Sequence, residues 1–198
     1  DIEKYNYKKC KNENDDIISF TFIGRLLYEK GIKEFLDAAL IIIKNNDNVK
    51  FTIVGDIDYS SPDIMNTNEL QHYLDSSDTI NYVGKTKDVR PYLCKTSVFV
   101  LPSYYREGVP RSILEAMAYK KPIITVDSIG CRTTTKHNYN GLVSPKKNTN
   151  KIAEYMQYFI DNQDEIDRMG ENSYKRILTT FNSTKVTKKT IDVYKNLQ

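Results

Sequence analysis

The stretch SVFVLPSYYREGVPRSILEAMAYKKPIITVD, residues 97–127, decides the fold. SVFVLPS, 97–103, is a near-continuous apolar run rich in β-branched residues. Such a run suits a strand covered on both faces. PRSILEAMAYKK, 110–121, places Ile113, Leu114 and Met117 at helical spacing, with Pro110 expected at the first helical position. PIITVD, 122–127, is again a buried strand. Strand, helix and strand in so short a span make a βαβ unit, which forces the two strands to run parallel.

The same alternation continues in both directions. Strands are predicted at 17–24, 49–56, 79–84 and 140–145. Helices are predicted at 31–46, 69–74 and 87–94, and from Thr149 onward in three pieces up to Leu197. Residues 56–68 read as a loop. The expected architecture is α/β, a Rossmann-like, doubly wound parallel sheet covered on both faces. Ligands of such sheets bind outside the carboxyl ends of the strands, so chemistry is sought just after residues 23, 55, 83, 101 and 126.

Composition sets the bounds. The 198 residues are 39% hydrophobic, enough for one domain with its own core and too short for two of ordinary size. The net charge of +3 comes with no concentrated basic stripe, so nucleic acid is not an expected partner. No apolar run approaches the roughly 20 residues that cross a bilayer. Residues 1–16, polar and without period, read as a linker, and 17–198 as the domain. Cys10, Cys94 and Cys131 are odd in number and show no metal-ligand spacing; reduced thiols and a cytoplasmic location are the expectation. His72 and His137 stand far apart, so no metal site is expected. Neither a G-x-G-x-x-G nor a Walker A sequence follows any strand, which disfavours dinucleotide cofactors and P-loop chemistry.

Several residues fall where chemistry is sought. Gly24, Arg25 and Lys30 follow the first strand; two cations there suit a diphosphate, and equally a solvated basic loop. Glu107 and Gly108 follow the fourth strand, and Val109, Pro110, Arg111 and Ser112 lead into its helix. That helix start offers free N–H groups to an anion. Glu115 lies eight positions after Glu107 within the apolar SILEAMA, where a purely solvated glutamate is out of place. Gly84 and Lys85 follow the third strand, and a plain strand end fits them equally well. Ser128 to Cys131, after the fifth, are placed to wall a pocket.

The order of these features resembles the C-terminal domain of GT-B fold glycosyltransferases of family 4, the glycosyl transferases group 1. The matching segments are FIGRLLYEKGIKEFLDAA, VKFTIVGD, INYVGKTKDV, VFVLPSYYREGVPRSILEAMAYKKPIITVDSIGC and NGLVSP. Glu107 and Glu115 form the family's E-x7-E signature. The resemblance implies that Arg25 and Lys30 bind the diphosphate and that Glu107 contacts the donor sugar. These three are the expected catalytic residues. Main-chain groups of Gly108 to Ser112 would hold sugar and phosphate, Glu115 the ribose, and Gly84 and Lys85 the base. Two positions depart: Thr133 stands where the family often has Glu, and Lys120 where it usually has Gly.

What the resemblance implies is a retaining transferase that moves a hexose-type sugar to a glycan or lipid-linked acceptor in bacterial surface polysaccharide synthesis. The donor would be a UDP-sugar ahead of a GDP-sugar, with no cofactor. The acceptor, and any peripheral membrane contact, would belong to an N-terminal domain outside this sequence. The last helix, FNSTKVTKKTIDVYKNL, resembles the segment that crosses back toward that domain. Two alternatives stay open: a nucleotide-sugar-binding module without transfer, and a nucleotide-sugar epimerase.

Overall fold

The computed structural model describes Cys10, residues 17–182, and Thr187, Ile191, Asp192, Tyr194 and Lys195. Its first strand, β1 (Ile18–Ile23), is buried at every residue, so both faces of the sheet are covered there. Two of those residues, Ser19 and Thr21, are polar. Thr96 donates to the Thr21 hydroxyl at 2.8 Å, and Ser97 Oγ accepts the Ser19 N–H at 3.0 Å. Around β1 lie β2 (Val49–Val54), β3 (Ile80–Gly84), β4 (Val98–Leu101), β5 (Ile123–Val126) and β6 (Gly141–Ser144). The order is β3-β2-β1-β4-β5-β6 with every neighbouring pair parallel. This is the Rossmann-like doubly wound sheet that the alternating pattern called for, the arrangement of the C-terminal half of the GT-B fold.

The order has one functional consequence. The chain winds outward from β1 to β3, then returns to the centre and winds the other way from β4. Connections from β1 and β4 therefore leave toward opposite faces, and a crevice opens between them at the carboxyl edge.

The helices carry their apolar residues on one side. Ile32, Phe35, Leu36, Ala39 and Ile42 of α1 (Ile32–Ile43) are buried, and Phe35 sits against Phe22, with ring centroids 5.8 Å apart. The helix α2 (Thr67–Ser76) starts at an Asn66 cap, and α3 (Arg90–Cys94) is short. The remaining helices are α4 (Arg111–Ala118), α5 (Ile129–Thr134), α6 (Thr149–Asp161) and α7 (Asp164–Thr180). α1 packs on α6, and α4 packs on α7. No helix among the described residues is long and apolar enough to cross a membrane.

Four details depart from the sequence reading. Pro110 is the extended N-cap of α4 instead of its first helical residue. α4 stops at Ala118 because Lys120 takes a left-handed φ of 56°, a conformation glycine adopts at less cost. SIGC opens a helix, α5, that no periodicity announced. The fourth concerns cysteine: Cys10 and Cys94 form a disulfide, their Cα atoms 5.1 Å apart, and only Cys131 is free. An odd count says nothing about which two thiols the fold brings together across 84 positions. With that bond, the cysteine argument for a cytoplasmic location loses its footing. The linker 1–16, apart from Cys10, and most of the final helix lie outside the described residues.

Two measurements probe this frame. Thiol titration of the denatured chain should find one reactive cysteine before reduction and three after it. Lys121 is the second probe. Burial lowers its pKa from 10.5 to about 8, with Asp167 partly opposing the shift. The folded chain therefore disfavours the charged form. That penalty is complete below about pH 8 and fades as pH rises toward 10.5. Lys121→Met should raise the melting temperature at pH 7, a gain of at most about 3 kcal/mol, and the gain should shrink by pH 10.

Candidate functional site

The crevice between β1 and β4 is built by loops in direct main-chain contact. After β1 the chain makes a 3-10 turn, Tyr28–Lys30, which ends at Gly31 with φ 79°. A Cβ on Gly31 would lie 2.4 Å from the carbonyl oxygen of Pro102, at the end of β4. Only glycine permits this approach at this φ. The tight contact sets Lys30 beside the loop that follows β4.

There Lys30 Nζ meets Glu107 Oε1 at 2.5 Å, with the two side chains 12% and 24% exposed. Ser103, wholly buried just past β4, donates from Oγ to the same Glu107 oxygen at 3.2 Å. Lys30 also lies over the Tyr105 ring, 4.7 Å from its centroid. Arg25 has Tyr105 among its neighbours too. Arg25 is more exposed and pairs with Asp58 from the loop after β2, at 3.0 Å. The hydrogen bond to Asp58 raises its pKa, and Asp58, held by Ser60 and Arg25, falls below the usual carboxylate range.

From Glu107 the chain passes through exposed Gly108 and Val109 to buried Pro110 and into α4. Pro110 offers no side-chain cap to this helix, so its first N–H groups lack a side-chain cap. Arg111 is exposed and Ser112 and Glu115 are half-buried on its first two turns. Gly84 ends β3 with φ 79°, and its carbonyl accepts the Gly55 N–H at 3.0 Å. Lys85 pairs with Asp56 at 2.7 Å on an open surface. A Cβ on Gly24 would sit 3.4 Å from the Phe22 ring, an ordinary van der Waals contact.

The structure thus brings Lys30 to Glu107 and both Lys30 and Arg25 to Tyr105, at the loops after β1 and β4; Gly108 to Glu115 follow directly into α4, and Gly84 and Lys85 sit at the end of β3. Such an assembly gathers cations, a carboxylate and a helix start at the carboxyl edge of the sheet. It can neutralise a pyrophosphate and accept hydrogen bonds from hydroxyls.

Sequence comparison settles the lineage. Residues 3–176 match the model of the family described as glycosyl transferases group 1. The chain belongs to that family. It is 33% identical over 141 residues, 71% of its length, to the N,N'-diacetylbacillosaminyl-diphospho-undecaprenol alpha-1,3-N-acetylgalactosaminyltransferase of Campylobacter jejuni, covering 35% of that protein. It is 31% identical over 182 residues, 88% of its length, to the UDP-Gal:alpha-D-GlcNAc-diphosphoundecaprenol alpha-1,3-galactosyltransferase of Escherichia coli, covering 44% of it. Anabaena Alr3699/HepE, solved in complex with UDP, superposes with a TM-score of 0.82 at 17% identity, over 91% of this chain and 49% of that one. The chain therefore spans less than half the length of these relatives.

Within this glycosyl transferases group 1 domain, sequence reasoning missed the parts that support the crevice. Ser103 looked like a strand end. Gly130, at the start of α5, looked like a pocket wall, yet a Cβ there would lie 1.9 Å from the carbonyl oxygen of Gly108 and 2.9 Å from that of Glu107. Ser128 Oγ and Cys131 Sγ donate to the Ser103 carbonyl at 2.9 and 3.6 Å. Burial raises the Cys131 thiol pKa. The acidic partners of Arg25 and Lys85, Asp58 and Asp56, lay in a stretch read only as loop.

The Gly130 contact gives a direct test. Gly130→Ala must push the Glu107–Gly108 main chain aside. It should cost about 1–3 kcal/mol of stability, read as a lower melting temperature. Ala at exposed Gly108, where an added Cβ meets nothing within 4 Å, should cost far less.

Proposed function

We propose that this chain is the donor-binding part of a retaining transferase. It moves a hexose-type sugar from a UDP-sugar, in preference to a GDP-sugar, to a hydroxyl of a glycan or lipid-linked acceptor. The product would be a bacterial surface polysaccharide or lipid-linked glycan. The observation that carries the proposal is the meeting of Lys30 and Glu107 at the β1/β4 crevice, beside the uncapped start of α4. The names of the two relatives, which specify diphosphate-linked polyprenol acceptors, support the acceptor class. The UDP held by the Anabaena protein and the UDP-Gal in the Escherichia coli name support the donor.

In this reading the α4 N-terminus, Lys30 and Arg25 face the diphosphate. As the bond from the anomeric carbon to the diphosphate oxygen breaks, negative charge grows on that oxygen, where these groups already stand. Preorganised donors stabilise developing charge without rearranging at the moment of reaction. Glu107 accepts hydroxyls of the sugar and Glu115 those of the ribose. Gly84 and Lys85 border the base. Residues that hold the acceptor lie outside this chain.

A thermal-shift panel of UDP, GDP and their sugars tests the reading. A true donor raises the melting temperature in step with its concentration, because it binds only the folded state. Glu115→Ala should weaken UDP and UDP-sugar alike, by about tenfold or more, as expected for a lost charged hydrogen bond. A panel without a single shift sinks the proposal. The 198-residue chain alone should show no sugar transfer; a measurable rate would overturn the placing of the acceptor elsewhere.

A further inference from the structure

Ser103 carries more than a strand end requires. Its side chain is wholly buried, yet it aims a hydroxyl at a carboxylate. Glu107 Oε1 lies 3.2 Å from Oγ, and the Glu29 carbonyl lies 3.4 Å away. One hydroxyl has one hydrogen to give. The shorter contact to an ionised oxygen takes it, since bonds to charged acceptors are the stronger ones. The Ser103 main chain is fixed from the other side, where its carbonyl accepts from Ser128 and Cys131. Ser103 therefore ties the loops after β4 and β5 together at the carboxylate.

The two oxygens of Glu107 have different surroundings. Oε1 accepts from both Lys30 and Ser103. Oε2 accepts from none of the described residues. A diphosphate that draws the Lys30 ammonium to its own oxygens leaves Ser103 as the described donor still holding Oε1. Glu107 has several rotatable bonds and would otherwise have to be ordered by the ligand, at an entropic cost.

We propose that Ser103 is a positioning residue of the sugar subsite. It holds Glu107 Oε1 so that Oε2 is presented to a hydroxyl of the donor sugar. Its effect is felt by the sugar and hardly by the nucleoside diphosphate. This rests on the donor reading given above.

Calorimetry on the 198-residue chain tests it, with free UDP and GDP as probes beside the UDP- or GDP-sugar that stabilises the chain most. Ser103→Ala should leave the affinity for the free diphosphate within about twofold and lower that for the sugar nucleotide about tenfold, the loss of one hydrogen bond to a charged group. Ser103→Cys, a weaker donor of similar size, should fall between Ala and wild type; it carries the test if the Ala variant does not fold. In a Glu107→Ala background, Ser103→Ala should add no further loss, because it acts through that carboxylate. Equal losses with and without the sugar, or a full second loss in the double variant, would overturn the proposal while leaving the donor reading intact. If wild type binds neither diphosphates nor sugar nucleotides, both fall together, and the missing diphosphate signal marks that case.

Discussion

The ion pair between Lys30 and Glu107 is the joint on which the site depends. It spans the seam between the two halves of the sheet, from the turn after β1 to the loop after β4. A cation and an anion this close and this little exposed must compensate each other's lost hydration, or the loops would drift apart to recover water. The neutral hydroxyl of Ser103 and the ring of Tyr105 complete that enclosure. The pair therefore fixes the crevice in its empty form, with both members already in place.

Parallel strands make this joint possible. Every strand of the sheet ends at the same edge, so all six loops that follow them are gathered on one side of the molecule. The reversal between β1 and β4 then parts two of those loops enough to admit a ligand. What brings them back into contact is the absence of side chains. Gly31 lets its turn touch the Pro102 carbonyl, and Gly130 lets α5 touch Gly108. These contacts are local sterics, yet they decide how far apart Lys30 and Glu107 sit.

Most of the frame was legible because burial on both faces leaves a plain mark on sequence. Runs such as FTFI and VFVL can hardly be anything but inner strands, and all six observed strands fall within the predicted ranges. α1 and α4 announced themselves by apolar spacing. α5 did not: IGCRTT is a single short helix with exposed Ile129 and buried Thr134, an inverted pattern with no period to read. The candidate cations and acids were legible as residue types at strand ends. Their partners were not, since Ser103, Asp56 and Asp58 act through the third dimension, from strand ends and a loop, and no residue spacing relates them to the groups they hold. The Cys10–Cys94 bond is the same kind of miss, a contact between two residues with no sequence relation.

The charges gathered at this edge are not equivalent. Arg25 with Asp58, and Lys85 with Asp56, are surface pairs open to water and salt. Such pairs contribute little, so an incoming anion can exchange an aspartate for a phosphate at small cost. Lys30 is different. To strip it from Glu107 without supplying a substitute would leave a partly buried carboxylate short of its strongest donor, which is expensive. A ligand that brings only a diphosphate therefore meets resistance at Lys30. One that also brings a sugar hydroxyl to Glu107 repairs what it disrupts. The empty-state geometry thus favours the two halves of a sugar nucleotide arriving together over either arriving alone.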